Sequence, residues 1–338
     1  MENTVGALSS SALESLNLQT SSAGSYSPLT GYPLILLDLS DEAIARTAQS
    51  CTQLPQILPR VACPVVAVAP EGCIGALTKS VDVLVTSHKD AESLATTIQQ
   101  QPLAAMTLVQ LLRHNEKSSL DDGLLAESLA FATLQGSEEF RNYMDHRAQQ
   151  PTVPDSTEPA VLVERKNNTL HLTLNRPEQR NAYSMAVRDA LYEGLDLAAN
   201  DPTLERTIIR GAGACFCTGG ALEQFGLASN IATAHAIRCT RHVGRLIAAQ
   251  ADRIECHLHG ACIGSGIELP AFAGRVVAQE NTYFQLPEIT MGLIPGAGGT
   301  VSILGRIGRQ RLAYLALSAK RIKAEKALEW GLIDEIAG

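Results

Sequence analysis

Three observations predict an α/β fold for this chain of 338 residues. Short continuous apolar runs have strand length, longer segments between them have helical spacing, and glycine-rich loops follow the strands. The stretches 33–39 (PLILLDL), 63–69 (CPVVAVA) and 81–85 (VDVLV) are strands expected to be buried on both faces. A helix is expected from Ser40, with Asp41 and Glu42 in its first turn, where negative charge suits the helix dipole. Residues 88–147 then turn helical, with Leu94 and Ile98, Leu103 to Leu112, and a third helix from Asp121 to about Leu134. A polar, proline-bearing stretch predicts a linker at 151–159. Beyond it, 161–163 and the alternating 170–174 flank the turn Asn167-Asn168 as a hairpin. A helix from Ser184, a strand at 207–210, one helix from Ile231 to about Ala249 and a strand at 253–258 complete the pattern. Residues 1–31, rich in Ser, Thr and Gly without apolar periodicity, are expected to form a flexible leader. The expected organisation is therefore that leader, a unit at 32–150, the linker, and a unit at 160–338.

Composition narrows the function. Apolar residues make up 45% and charged residues 18%, an ordinary globular balance with room for a sizeable core. The formal net charge of −8 argues against a general nucleic-acid binder. No run of about 18 apolar residues exists and residues 1–18 lack a basic, then apolar, signal pattern, so no membrane partner and a cytoplasmic location are expected. The eight cysteines lie in apolar stretches of a large chain, which predicts reduced thiols. Cys215 and Cys217 have the wrong spacing for a redox pair and are expected to pack, and no His/Cys cluster has zinc-finger spacing, so no metal is expected.

The chemistry is concentrated between His259 and Thr300. Glu268 follows Gly264-Ser265-Gly266-Ile267, a run that brings backbone amides close to a ligand, and Glu288 lies twenty positions later. Two carboxylates beside donor-rich backbone are what proton transfer next to a carbonyl needs, because fixed N–H dipoles hold a developing enolate oxygen. Two solvated surface acids would give the same spacing. Ser265 has no Ser-His-Asp pattern around it, His259 is expected to be structural, and the loop at 295–299 lacks the Lys-Ser/Thr of a phosphate-binding loop.

The chain also repeats itself. Ile44-Ala, Cys51-Thr52 and Cys73-Ile-Gly75 recur as Ile231-Ala, Cys239-Thr240 and Cys262-Ile-Gly264, at offsets of 187, 188 and 189. The first copy has no counterpart of Glu268, so any catalysis is expected in the second.

Five segments, LNRPEQRNA (174–182), CFCTGGAL (215–222), HGACIGSGIELPAFAG (259–274), FQLPEITMGLIPGAGGT (284–300) and AKRIKAEKALEWGLIDEI (319–336), resemble the crotonase, or enoyl-CoA hydratase/isomerase, superfamily in order and spacing. The resemblance covers about 160–338 and implies stacked ββα units wound as a spiral. It implies that the thioester oxygen of an acyl-CoA sits between the N–H groups of Gly220 and Ser265, and that Glu268 and Glu288 are the two glutamates of hydratases. It places the coenzyme A part of the substrate along Arg176, Arg180, Asn181 and Ala182, and along Cys217, Thr218 and Gly219, with Gly264 and Gly296 also at the substrate. No external cofactor is implied, and a homo-oligomer, a trimer or a dimer of trimers, is. Departures are Ala221, where hydratases often carry Asp, and Ser265, where Gly is usual. The family's C-terminal helices are expected from residues 99–151, which resemble them and would complete the second copy. Isomerisation or another enolate reaction of an acyl-CoA, and a catalytically silent scaffold of the same fold, are the alternatives.

Overall fold

The three apolar runs of the first half form one parallel sheet in the computed structural model, which describes residues 7–18, 24–73, 75–147, 156–227 and 230–337. In chain order this half comprises α1 (Ser10–Leu18), β1 (Ile35–Asp38), α2 (Glu42–Ser50), α3 (Leu54–Ile57), β2 (Val65–Val68), α4 (Ala76–Ser80), β3 (Val83–Val85), and the helices α5 (His88–Gln100), α6 (Pro102–Asn115), α7 (Leu120–Gln135) and α8 (Glu138–His146). Side chains alternate across strands. Leu36, Val66, Val68, Val83 and Val85 therefore enter the main core, while Ile35, Leu37, Val65 and Ala67 enter a second core under α1 to α3. Both faces being covered, the strands are apolar apart from Asp38 at the end of β1.

The second half opens with the hairpin β4 (Val161–Lys166) and β5 (Thr169–Leu174), followed by α9 (Met185–Asn200), β6 (Arg206–Gly211), α10 (Ile231–Thr240) and α11 (Val243–Ala249). Then come β7 (Ile254–Leu258), β8 (Ala261–Ile263), α12 (Ser265–Glu268), β9 (Arg275–Gln279), β10 (Tyr283–Gln285), α13 (Gly299–Ile307), α14 (Arg309–Ser318), β11 (Ile322–Lys323), α15 (Ala324–Trp330) and β12 (Glu335–Ala337). A six-stranded sheet runs β12-β9-β7-β6-β5-β4, parallel except for the hairpin, and a small sheet runs β11-β10-β8. Cys256 marks the register, facing Ile209 on one side and Val276 on the other.

Helix starts follow local chemistry. Asp41 accepts the N–H groups of Ala43 and Ile44, and Ser87, Ser119, Ser137 and Ser184 cap α5, α7, α8 and α9 in the same way. Two expectations are corrected. The flexible leader contains α1, because Leu13 and Leu16, three apart and fully buried, supply an apolar face that the Ser-rich composition hides. The single helix at 231–249 is two helices, because His242 leaves helical geometry and its Nδ1 accepts the Arg245 N–H, starting α11 afresh. The linker predicted at 151–159 lies mostly outside the described residues. Among those residues no helix is long and apolar enough to cross a membrane.

Four elements of the first half begin 189 positions before a similar one in the second: Glu42 and Ile231, Leu54 and Val243, Val65 and Ile254, Ala76 and Ser265. The strand order β1-β2-β3, all parallel, matches β6-β7-β9.

The two halves share a core, with α13 against α6 and α7, α10 against α7, and α14 against α5, α6 and β3. Asp82, almost fully buried before β3, joins them through Arg113 of α6 and Arg309 of α14, whose Nη1 lies 2.9 Å from Asp82 Oδ1. Arg309 also donates to the carbonyls of Lys79 and Val81. Removing one partner of a buried ion pair strands the other charge, at a cost of about 3–5 kcal/mol. Asp82→Ala should lose roughly that much in urea unfolding; a change within about 1 kcal/mol would contradict this account of how the halves are joined.

Candidate active site

Four consecutive N–H groups at the start of α13 set the geometry of the site. The first turn of a helix has no intrahelical acceptors for its amides. Here Ala297 and Gly299 donate to Glu268 Oε2 at 2.8 and 2.9 Å, and Gly298 and Thr300 donate to Glu127 of α7 at 2.7 and 2.9 Å. Gly299 is required by space, since an added Cβ would stand 2.6 Å from Glu268 Cγ. With Oε2 anchored, Glu268 turns Oε1 toward Gly264.

Glu288 meets it there. It follows Pro287 in a short 3-10 turn, and its Oε1 would lie 2.5 Å from a Cβ placed on Gly264, with Glu268 Oε1 3.8 Å from the same point. Gly264 has φ 50°, a left-handed conformation that L side chains rarely adopt, so any other residue there would be strained. Glu288 Oε2 is buried with no hydrogen-bond partner.

The backbone donors are beside this point. The strand bridge between Tyr183 and Gly220 uses the N–H groups of Tyr183 and Ala221, which leaves the Gly220 N–H directed away from it. Ser265 opens α12, so its N–H has no acceptor in that helix. The loops carrying the two run together: Cys217 bridges Cys262, and a Cβ on Gly264 would lie 3.6 Å from Gly219 Cα. Ser265 Oγ sits 3.9 Å from Cys217 Sγ, leaving the amide for the cavity.

A cavity of about 500 Å³ brings together Thr218, Gly219, Gly220, Gly264, Ser265, Glu268, Glu288 and Gly296 of the predicted residues. Arg176, Arg180, Asn181, Ala182 and Cys217 do not line it. Arg176 donates to the carbonyls of Glu158, Pro159 and Asn175. Asn181 is fully buried, accepting the Arg176 N–H and donating to the carbonyls of Ala212 and Cys215, so its side chain is spent on the fold. Arg180 offers its carbonyl to Thr218. The Cys217 thiol is pushed up to about 11, by burial first. Six of the eight cysteines are buried, whereas Cys73 is exposed and Cys239 half-buried.

Sequence reasoning missed Glu127, Phe131, Tyr183, Arg238 and His242. Glu127 had one signal: it occupies the buried face of α7 with Leu124, Ser128 and Phe131, at helical spacing where an apolar residue is expected. Phe131 and Arg238, stacked 4.7 Å apart, and His242 line the cavity. Burial, then Arg245, lowers the His242 imidazole to about 4, so it is neutral. The cavity wall comes from both halves, and Arg147 after α8 donates to the Leu222 carbonyl at 2.5 Å.

The electrostatics favour protonated carboxyls. Burial raises Glu288 to about 7, and Glu127 adds to it. Burial, then Glu288 and Glu127, raise Glu268 well above the carboxylate range, against the pull of the Ala297 and Gly299 amides. Such a site retains a proton near neutral pH.

A family model described as enoyl-CoA hydratase/isomerase matches residues 164–338. The chain is 35% identical over 176 residues to the 2,3-dehydroadipyl-CoA hydratase of Escherichia coli, covering 52% of this chain and 68% of that protein. It is 32% identical to the mevalonyl-coenzyme A hydratase sidH of Aspergillus fumigatus, covering 49% and 62%. The chain thus spans about two thirds of the length of these relatives. The solved enoyl-CoA hydratase of Mycobacterium smegmatis is similar at 26% identity and a TM-score of 0.50, over 54% of this chain and 71% of that one.

A carboxyl held near 7 in the fold, against an ordinary 4.5, keeps its proton after the unfolded chain has lost its own. The fold therefore loses stability as pH rises from about 4.5 to about 7, and no more above that. Glu288→Gln cannot ionise, so its melting temperature relative to the unsubstituted protein should climb between pH 5 and pH 8. Equal differences at the two pH values would show that Glu288 is not held protonated.

Proposed function

Because the chain belongs to the enoyl-CoA hydratase/isomerase family, we propose that it adds water to the double bond of a 2-enoyl-CoA. The observation that carries this is Glu288 Oε2, buried beside Glu268 without a partner and next to two backbone N–H groups without an acceptor, among the described residues. Water between the two glutamates fills that vacancy in hydrogen bonding. One carboxyl is ionised and one protonated, since burial and mutual repulsion oppose two charges.

The ionised carboxylate takes a proton from water as the water oxygen bonds to C3 of the enoyl group. The π electrons of C2=C3 move to form an enolate, whose oxygen charge is held by the Gly220 and Ser265 N–H groups. The protonated carboxyl then gives C2 its proton. The pair is left with one proton between them, as before, and no external cofactor is consumed. The coenzyme A part lies along the Thr218 and Gly219 edge of the cavity, and the acyl chain lies toward Phe131.

The first half is in this reading a degenerate copy of the second, supported by the four elements offset by 189. Lys79 stands at the offset from Glu268, so that copy has lost the acid. Its helix α7 walls the cavity of the same chain through Phe131 and Gln135, and assembly into a trimer or pair of trimers is part of the same proposal.

Hydration of crotonyl-CoA, followed by loss of enoyl-thioester absorbance, tests the reading. General acid–base groups contribute about 10²–10⁴-fold. Glu268→Gln and Glu288→Gln should each lower kcat by about a hundredfold or more with little change in KM; full turnover by both sinks the assignment. A product with a shifted double bond would point to isomerisation, and no conversion of any enoyl-CoA to a silent scaffold. Ser265→Gly should stay active because only the amide is used. Ser265→Pro, tolerated at a first helical position, deletes the donor and should cost about 2.7–4 kcal/mol of transition-state stabilisation. Equal inactivation by both would give the hydroxyl the role instead.

A further inference from the structure

We propose that Glu127 is a positioning residue for the reaction, supplied by the half of the chain that lacks the reacting acids: it holds alternate amides of the 297–300 turn so that the remaining two aim at Glu268. This rests on the hydration reading for its kinetic consequences, and on geometry for the rest. The pattern is strict. Ala297 and Gly299 go to Glu268, Gly298 and Thr300 to Glu127, so neither carboxylate alone satisfies the turn.

Glu127 is almost fully buried, and every contact it makes is as an acceptor. The Thr300 hydroxyl receives a hydrogen bond from Asn115 Nδ2 at 3.0 Å, which leaves its own hydrogen for Glu127 Oε2 at 2.7 Å. Burial, the largest effect, raises Glu127 to about 7, and the three donors that converge on it pull the other way, so it carries its charge above that pH. The groups that act on it are the Gly298 and Thr300 amides and the Thr300 hydroxyl from α13, Arg238 from α10, and the like charges of Glu268 and Glu288. Arg238 makes its direct hydrogen bonds to neutral acceptors, Ser128 and Gln135, so its charge is left to balance Glu127 at longer range. The charge of Glu127 in turn raises the proton affinity of both Glu268 and Glu288. Glu127 touches neither substrate nor cavity. It acts through Glu268.

Two substitutions in the full chain separate geometry from charge. Glu127→Gln keeps the shape, removes the charge and turns a donor toward an amide. It should lower kcat for crotonyl-CoA tenfold or more with KM changed less than threefold, and shift the pH–rate profile to lower pH. Glu127→Asp keeps the charge but withdraws it by one methylene, so kcat should fall while the pH profile stays in place. A readout independent of turnover is the titration of Glu268 by carbon NMR in protein labelled at glutamate, assigned by the signal missing from Glu268→Gln. Its midpoint should move to lower pH in Glu127→Gln. If crotonyl-CoA is not a substrate, the titration alone decides, and the hydration reading fails separately. The proposal is overturned if the Glu268 midpoint does not move in Glu127→Gln. It is equally overturned if kcat is unchanged in both variants, or if neither folds, which would make Glu127 a residue of the fold alone.

Discussion

A helix that begins with glycine has no side chain of its own to satisfy its first amides, and α13 begins with Gly298 and Gly299. Those glycines are there because Phe272 and Glu268 occupy the space that side chains would take: an added Cβ would meet Phe272 Cε2 at 2.5 Å and Glu268 Cγ at 2.6 Å. The turn must therefore find its acceptors elsewhere, and two buried carboxylates from different halves of the chain are what it finds. The placement of Glu268 and the contact of α7 with the second half both depend on this one unsatisfied turn.

The arrangement sets stability against chemistry. Three carboxyls in an apolar interior repel one another and resist ionisation. Amides and the Thr300 hydroxyl offset this for Glu127 and Glu268, but Glu288 Oε2 has no partner at all. A fold optimised for stability alone would not leave an acceptor buried and bare, a cost of about 1–3 kcal/mol. Among the described residues the cost is borne at the point where the Gly220 and Ser265 N–H groups are also without acceptors, so unsatisfied donors and acceptors converge on one cavity.

Local chemistry was legible in the sequence, and remote chemistry was not. Asp41, Ser87, Ser119, Ser137 and Ser184 announce their helices because cap and helix are adjacent in the chain. The helices α6 and α13 have no such side-chain cap and take remote carboxylates, Glu139 for the Leu103 and Ala104 amides of α6, and Glu268 with Glu127 for α13. Motif order grouped Glu268, Glu288 and the glycine loops, and the fold brings them to one cavity. Asn181 was misjudged for the opposite reason: an Asn in a loop looks free, and only the fold brings the carbonyls of Ala212 and Cys215 to it. The break at Arg241-His242 escaped because the apolar pattern continues across it while the cap is a histidine. Glu127, 141 positions from Glu268, showed only as a charge on an apolar face.

That distance explains, on the proposal that Glu268 and Glu288 are the reacting acids, why the half without them would keep its structure. On the proposal that it is a degenerate copy, its sheet has no reaction to preserve, yet β1, β2 and β3 send apolar side chains into a core on both faces. What they hold is α5 to α8. Asp82, at the entrance to β3, fixes α6 through Arg113 and α14 through Arg309, and α14 follows α13 directly, so the node ties the helix that carries Asn115 to the segment that carries Thr300. The helix α7 that carries Glu127 packs against both α6 and α13. An error in β3 would therefore pass through α6 and α14 to the turn at 297–300 and reach Glu268 as a shift in its carboxylate. On the same proposal, a requirement on the position of Glu268 in one half is a requirement on packing in the other.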